Sequence, residues 1–183
     1  MHKIVFYTAE KNAYLTGLLL KNLSDRYTIT WSGEKEAFSR GEGKDLLILE
    51  TDRLSNIALS DAIVVFDENC LPCQELTISE SCICLAASDN HNLLKILSGS
   101  HARVVTCGMS PKDTFTYSSK DEASIAVSLQ RELLTLQGHP VEPLELVLSC
   151  PEEAGAYTLL FYAAILVLLG IVIECPKNEL MVR

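Results

Sequence analysis

Short runs of consecutive apolar residues, each closed by polar or turn-forming ones, recur along the first two thirds of the chain. The runs at 3–8 (Lys3-Ile4-Val5-Phe6-Tyr7-Thr8), 27–32, 45–50 (Asp45-Leu46-Leu47-Ile48-Leu49-Glu50), 61–67, 82–87 and 102–107 predict strands. Several are continuously apolar rather than alternating. That is the pattern of strands covered on both faces, as in a parallel sheet between helix layers. Residues 10–24 predict a helix, with Tyr14, Leu15, Leu18, Leu19 and Leu23 on one stripe. Residues 89–98 predict a shorter helix, with Ser88 or Asp89 available as N-cap and Gly99 just past its end.

From about residue 113 the texture changes. Segments 115–117, 125–130 and 144–148 look like antiparallel strands, separated by turns at 118–121 and 137–140. Residues 154–173 carry no charge and are long enough to count as a membrane-span candidate. Gly170 before Ile171-Val172-Ile173 instead suggests a helix end and a short strand, and a sheet is at hand to bury the helix, so a buried helix is the preferred reading. The expectation is one α/β domain over 1–183: a three-layer, mostly parallel sheet over 1–110, a small antiparallel β extension over 111–150, and an apolar helix with a C-terminal strand or tail over 151–183.

A length of 183 residues suffices for one well-cored domain, and 48% hydrophobic with 21% charged residues excludes disorder. The net charge of −9, with no basic cluster, argues against nucleic acid or an anionic membrane surface as partner. The first strand begins too early to leave room for a signal peptide, so a cytoplasmic location is expected. The seven cysteines fit that compartment as reduced, packed apolar residues. Cys70 and Cys73 have the Cys-x-x-Cys spacing of a zinc or redox half-site, and Cys82 and Cys84 would point the same way from a strand. These four are weak metal candidates.

Candidate chemistry gathers at the predicted C-terminal ends of the strands, where open α/β sheets bind ligands: Thr8, Glu10, Lys11, Asn12, Glu50, Asp52 and Asp67. A nucleotide-binding protein of this pattern would place glycines and a Gly-Lys-Ser/Thr ending in the turn after the first strand. Here that turn has no glycine, and Ala13 and Tyr14 stand about where the lysine and hydroxyl residue would be. Lys11 could reach a phosphate but reads more simply as a solvated turn residue. His2, His91, His101 and His139 form no catalytic spacing with carboxylates or thiols.

Taken in order, these pieces resemble the central, ATP-binding domain of the Mur ligase family, whose members form amide bonds through an acyl-phosphate. Residues Ile4 to Leu23 resemble its strand, phosphate loop and helix, and Asp45 to Glu50 its strand ending in a magnesium-associated glutamate. Cys84-Leu85-Ala86-Ala87-Ser88-Asp89-Asn90 stands where the family has Leu-Asn-Ala-Asp-Asp-Pro, and only Asp89 keeps that pattern. Ala102 to Gly108 and Ala163 to Ile171 match a following strand and an alanine-rich helix. The resemblance implies the fold, with Thr8, Glu10, Lys11, Asn12, Glu50 and Asp89 as the candidate ligand-binding set. The departures fall on the chemistry: the loop glycines and lysine are absent, and no His or Asn occurs between His139 and Asn178 to supply the family's His-Asn pair.

The expectation is therefore a non-catalytic, interaction or regulatory module with a degraded ATP site and no cofactor. It would engage a second copy or a partner subunit. The alternative is a nucleotide- or small-ligand-binding enzyme, ATP-dependent amide-ligase-like, with ATP and Mg²⁺ in a remodelled loop.

Overall fold

The computed structural model describes residues 1–8, 13–72, 75–120, 124–149, 155–171 and 179–181. They form two compact units, Met1–Val104 and Val105–Arg183. In chain order the first holds β1 (His2–Tyr7), α1 (Ala13–Leu23), β2 (Tyr27–Ser32), β3 (Ala37–Arg40), β4 (Lys44–Thr51), β5 (Asn56–Ile57), β6 (Ala62–Phe66), β7 (Thr77–Ile78), β8 (Cys82–Ala87) and α2 (His91–Ser98). Its main strands lie in the order β3-β2-β4-β1-β6-β8. All neighbours are parallel except the β2–β3 hairpin.

The continuously apolar runs are the central strands, as expected of a parallel sheet. Ile4, Val5, Phe6 and Tyr7 of β1 are at most 2% exposed, and every residue of β6 and β8 is buried. Side chains alternate across the sheet. On one face Val5, Tyr7, Val64, Phe66, Cys84 and Ala86 pack with Leu93 and Leu97 of α2 and with Ile57 and Ile78, the inward residues of the short parallel β5–β7 pair. Each large apolar side chain buried in this way contributes about 1.5–3 kcal/mol before the entropy of ordering is counted.

Helix α2 is capped by Asn90 rather than by Ser88 or Asp89: its side chain accepts from the Leu93 N–H at 3.1 Å. Asn90 wins because its amide also donates to the Glu68 and Cys70 carbonyls, at 3.0 and 2.9 Å, fastening the β6–β7 connection to the helix start. Gly99 follows the helix, as its position suggests.

The second unit holds β9 (Arg103–Gly108), β10 (Phe115–Lys120), β11 (Ser124–Leu129), β12 (Leu133–Leu134), β13 (Pro140–Val141), β14 (Leu144–Ser149), α3 (Ala156–Leu168) and β15 (Glu179–Met181). The order is β9-β10-β11-β14-β15, with antiparallel pairing at β10–β11 and β11–β14 and parallel pairing at its two ends. β10 runs on through Ser118 to Lys120, where a turn was expected, because an irregularity between Tyr117 and Ser119 absorbs the polar residues without ending the ladder. β12 and β13 pair across a turn closed by Gly138, at φ +80°.

The uncharged segment 154–173 gives a helix of 13 residues, ended by Gly170 at φ +77°. Every residue from Leu159 to Leu168 is buried, so α3 has no polar face because no side of it meets solvent. The Tyr117 hydroxyl donates to the Ala156 carbonyl at 2.7 Å, and the Leu136 N–H to the Leu168 carbonyl at 2.8 Å, tying both helix ends to the β elements of this unit. No helix among the described residues is long and apolar enough to cross a membrane. The strand expected at 171–173 lies, beyond Ile171, outside the described residues.

The β3–β4 turn rests on two glycines. Gly41 (φ +96°) and Gly43 (φ +124°) flank Glu42, whose N–H donates to the Ser24 carbonyl at 3.1 Å. A Cβ on Gly41 would lie 2.3 Å from the Tyr27 carbonyl oxygen, and one on Gly43 2.2 Å from that of Arg26. Gly17, in the exposed part of α1, meets nothing within 4 Å. Gly43→Ala should therefore lower stability by at least about 1–3 kcal/mol, whereas Gly17→Ala should raise it by about 0.5–1 kcal/mol. Urea midpoints of the two variants would check the opposed signs.

Candidate functional site at the strand tips

From β1 the chain passes through α1 toward β2 on one side of the sheet, and from β6 it passes toward β8 on the other. The crevice outside the C-terminal ends of β1 and β6 is therefore the topological switch point, the usual ligand position in an open α/β sheet. Thr8 and Asp67 are the residues that leave those two strands. The Thr8 hydroxyl donates to Asp67 Oδ2 at 3.2 Å, and the Asp67 N–H to the Tyr7 carbonyl at 3.3 Å. Thr8, 7% exposed, also donates its N–H to the Thr51 carbonyl at 3.1 Å.

Among the described residues, carboxylates flank this bridge. Asp67 Oδ1 accepts from the Glu68 backbone N–H at 2.9 Å. Partial burial, then the charges of Asp67 and Asp89, raise the Glu68 pKa above the ordinary carboxylate value. Asp89 itself is exposed just before the Asn90 cap. Asp67 stands at the switch point, Glu68 follows it, and Asp89 follows the neighbouring β8 within electrostatic reach of Glu68; negative charge at these positions disfavours a further anion nearby.

A second cluster lies at the tips of β2 and β4. Glu50, 7% exposed, accepts from the hydroxyl of Thr16, itself 4% exposed on α1. Glu50 lines a pocket of about 280 Å³ together with Thr8, Trp31, Gly33, Glu34, Lys35, Glu36, Thr51 and Asp52. Trp31 stacks on Phe38 across the β2–β3 hairpin, with ring centroids 5.2 Å apart. Arg53 pairs with Glu34 at 3.3 Å and with Asp52 at 3.6 Å from a largely solvated position.

Of the residues singled out by sequence, Thr8, Glu50 and Asp52 meet in the pocket, Asp67 meets Thr8 at the switch point, and Asp89 lies outside the pocket. Glu10, Lys11, Asn12 and Cys73 lie outside the described residues. Thr16, Trp31 and the Gly33–Glu36 turn were not anticipated as site residues. For Thr16 the available signal was a hydroxyl on the apolar stripe of α1, since a polar residue there needs a buried partner.

Cys82 and Cys84 do point the same way, into the core face with Ala86, and Cys70 packs against that face. Burial pushes the Cys84 thiol up to about 12; burial and the nearby Asp67 and Asp52 charges push Cys70 up to about 12 as well. No group of three metal-capable side chains occurs among the described residues.

No family model and no curated protein matches the chain. Solved structures do: the chain has the fold of Mur ligases. It is similar to a murein peptide ligase from Psychrobacter arcticus (11% identity, TM-score 0.60, 92% of this chain and 44% of the other). It is similar to a UDP-N-acetylmuramoyl-L-alanyl-D-glutamate–2,6-diaminopimelate ligase (10%, 0.61, 97% and 45%). It is also similar to a UDP-N-acetylmuramate:L-alanyl-γ-D-glutamyl-meso-diaminopimelate ligase from Neisseria meningitides (9%, 0.56, 92% and 61%). At such identities the likeness is one of fold, and the chain spans between 44% and 61% of the length of these structures.

The acidic switch point has a measurable consequence. A carboxyl whose folded pKa exceeds its unfolded one is penalised wherever it is ionised in the folded state, and not below its unfolded pKa. Glu68→Gln should therefore raise the unfolding temperature at pH 7, and the gain should vanish as pH falls below about 4. Thermal unfolding of wild type and variant at the two pH values gives the comparison.

Proposed function

We propose that this chain is a non-catalytic Mur-ligase-like domain, an interaction or regulatory module of the cytoplasm that works without ATP or another cofactor and engages a protein partner or a second copy of itself. The observation that carries the reading is the Thr8 hydroxyl bonded to Asp67 at the switch point, with Glu68 beside it and Asp89 in electrostatic reach. A triphosphate held there would need a glycine-lined nest of N–H groups and a lysine to offset its charge. The sequence of the turn has neither in the usual places, and the strand tips add carboxylates instead. The matched structures are ligases by name, and this chain spans 44–61% of their length.

The remodelled-enzyme reading draws its support from Glu50, a buried carboxylate beside an open pocket, which is a position from which magnesium could be held if phosphate oxygens completed the shell. Titration calorimetry and thermal unfolding with ATP and Mg²⁺ decide between the two. The expected outcome is no saturable heat and no stabilisation at millimolar nucleotide. Binding at a hundredfold excess over Kd would add about 2.7 kcal/mol to stability. If such binding occurred and were abolished by Glu50→Ala, the pseudo-enzyme reading would be overturned in favour of the ligase-like one.

A further inference from the structure

We propose that the pocket between the tips of β2 and β4 is a binding site for an organic cation, an ammonium or guanidinium group on a short aliphatic stem. The inference deepens the reading above, since it rests on the strand tips having exchanged phosphate for positive charge as their ligand chemistry.

The central observation is Glu50. Its side chain is 7% exposed, it lines the pocket, and among the described residues the Thr16 hydroxyl is its hydrogen-bond partner. One hydroxyl on Oε1 does not balance a buried carboxylate, which ordinarily sits with a cation or several donors. Protein cations do reach the other acids of the rim: Arg53 pairs with Glu34 and Asp52. None pairs with Glu50 among the described residues. The pocket thus presents a buried carboxylate whose second oxygen is left for a donor from outside.

The remaining lining selects the kind of cation. A magnesium ion held by protein alone asks for several oxygen ligands in a tight octahedron, and no group of three metal-capable side chains occurs among the described residues, so without phosphate oxygens the pocket suits an organic cation better. The walls instead include Trp31 and the bare backbone of Gly33, which lies so close to the indole that a Cβ would stand 2.6 Å from Trp31 Cη2. An indole edge and a side-chain-free backbone suit methylene groups. A volume of about 280 Å³ lies at the lower edge of the usual range for ligand pockets, so a single small amine or one inserted side chain fits better than a drug-sized ligand. The chain's net charge of −9 draws cations toward it at long range.

Two sources offer this chemistry, a free alkyl amine and the lysine or arginine side chain of a partner protein. Trp31 is the only tryptophan, so its emission reports the pocket directly. The whole chain would be titrated with n-butylammonium, methylguanidinium and, as the isosteric anion, butyrate. Expected is a saturable change in emission with both cations and none with butyrate, weakened by added salt. Glu50→Gln, which keeps an acceptor for Thr16, should weaken binding about tenfold. Its thermal unfolding shows whether it is folded, and the wild-type titrations stand without it. Tighter binding of an acetyl-lysyl-amide peptide than of butylammonium assigns the cation to a partner's side chain; equal or weaker binding assigns it to a free amine.

No response to either cation, an equal response to butyrate, or an unaltered affinity in folded Glu50→Gln would overturn the proposal. Titration with ATP and Mg²⁺ in parallel separates the two readings. A response to nucleotide and none to amines sinks both, whereas silence toward all ligands sinks the cation site alone.

Discussion

The enclosure of β1 governs what the tips of this sheet can do. The strand lies between β4 and β6, paired with both along its length, and its residues Ile4 to Tyr7 are closed off on both faces. Past Lys3, a strand so placed carries no unpaired polar group until it leaves the sheet, because such a group there would cost more than its neighbours could return; the Tyr7 hydroxyl donates to the Leu54 carbonyl. β6 and β8 obey the same rule, and on β4 the buried polar residue is Glu50 near its end. The first polar positions, Thr8, Glu50, Asp67 and Ser88, are thereby gathered along one edge. Because that edge contributes little to the core, its residues can change character while the packing beneath them stays the same. A fold shared with ligases at 9–11% identity, with acidic residues along its strand tips, is consistent with that separation of scaffold and edge.

Two neighbouring crevices on this edge have different electrostatic designs. At the switch point the Thr8–Asp67 bond spans the gap, and partial burial followed by the Asp67 and Asp89 charges raises the Glu68 pKa. At the β2–β4 tips the carboxylates are partly offset by Lys35 and Arg53, and a cavity remains. The difference follows from strand spacing in the sequence. Asp67 and Glu68 are adjacent in one turn and cannot separate, whereas Glu34 and Glu36 sit on a hairpin turn with Lys35 between them.

What was legible in the sequence was whatever rested on apolar continuity. Each central strand of the first unit lies where its hydrophobic run places it, because a run buried on both faces has no competing reading. Elements held by pairing rather than burial were not visible. β3 is exposed along its whole length and exists because Trp31 and Phe38 stack across the hairpin. β12 and β13 have two residues each, too few to show a period. The α2 cap was misplaced by one or two residues because the deciding contacts, Asn90 to Glu68 and Cys70, span about twenty positions. For the site, Thr8, Glu50, Asp52 and Asp67 were readable from their places at strand ends. Trp31 and Gly33 were not, since an aromatic in a strand looks like core until the space beside it is known.

That space depends on how the β2–β3 hairpin is held, and three contacts fix it. At its base the Gly41-Glu42-Gly43 turn lies against the backbone of Ser24–Tyr27, at a distance only residues without a Cβ allow. At mid-length the Trp31–Phe38 stack sets the twist of the two strands. At the tip the Gly33 N–H donates to the Glu36 carbonyl at 3.0 Å, closing the turn that carries Glu34, Lys35 and Glu36. The opposite wall, Glu50 to Asp52, lies at the end of β4, where Glu50 and Thr51 pair with Phe6 and Tyr7, and it cannot shift without disturbing β1. One wall of the pocket is thus set by the core of the unit and the other by an edge hairpin anchored through glycines. The chemistry of the pocket can therefore be altered through the hairpin turn alone, leaving the buried sheet intact.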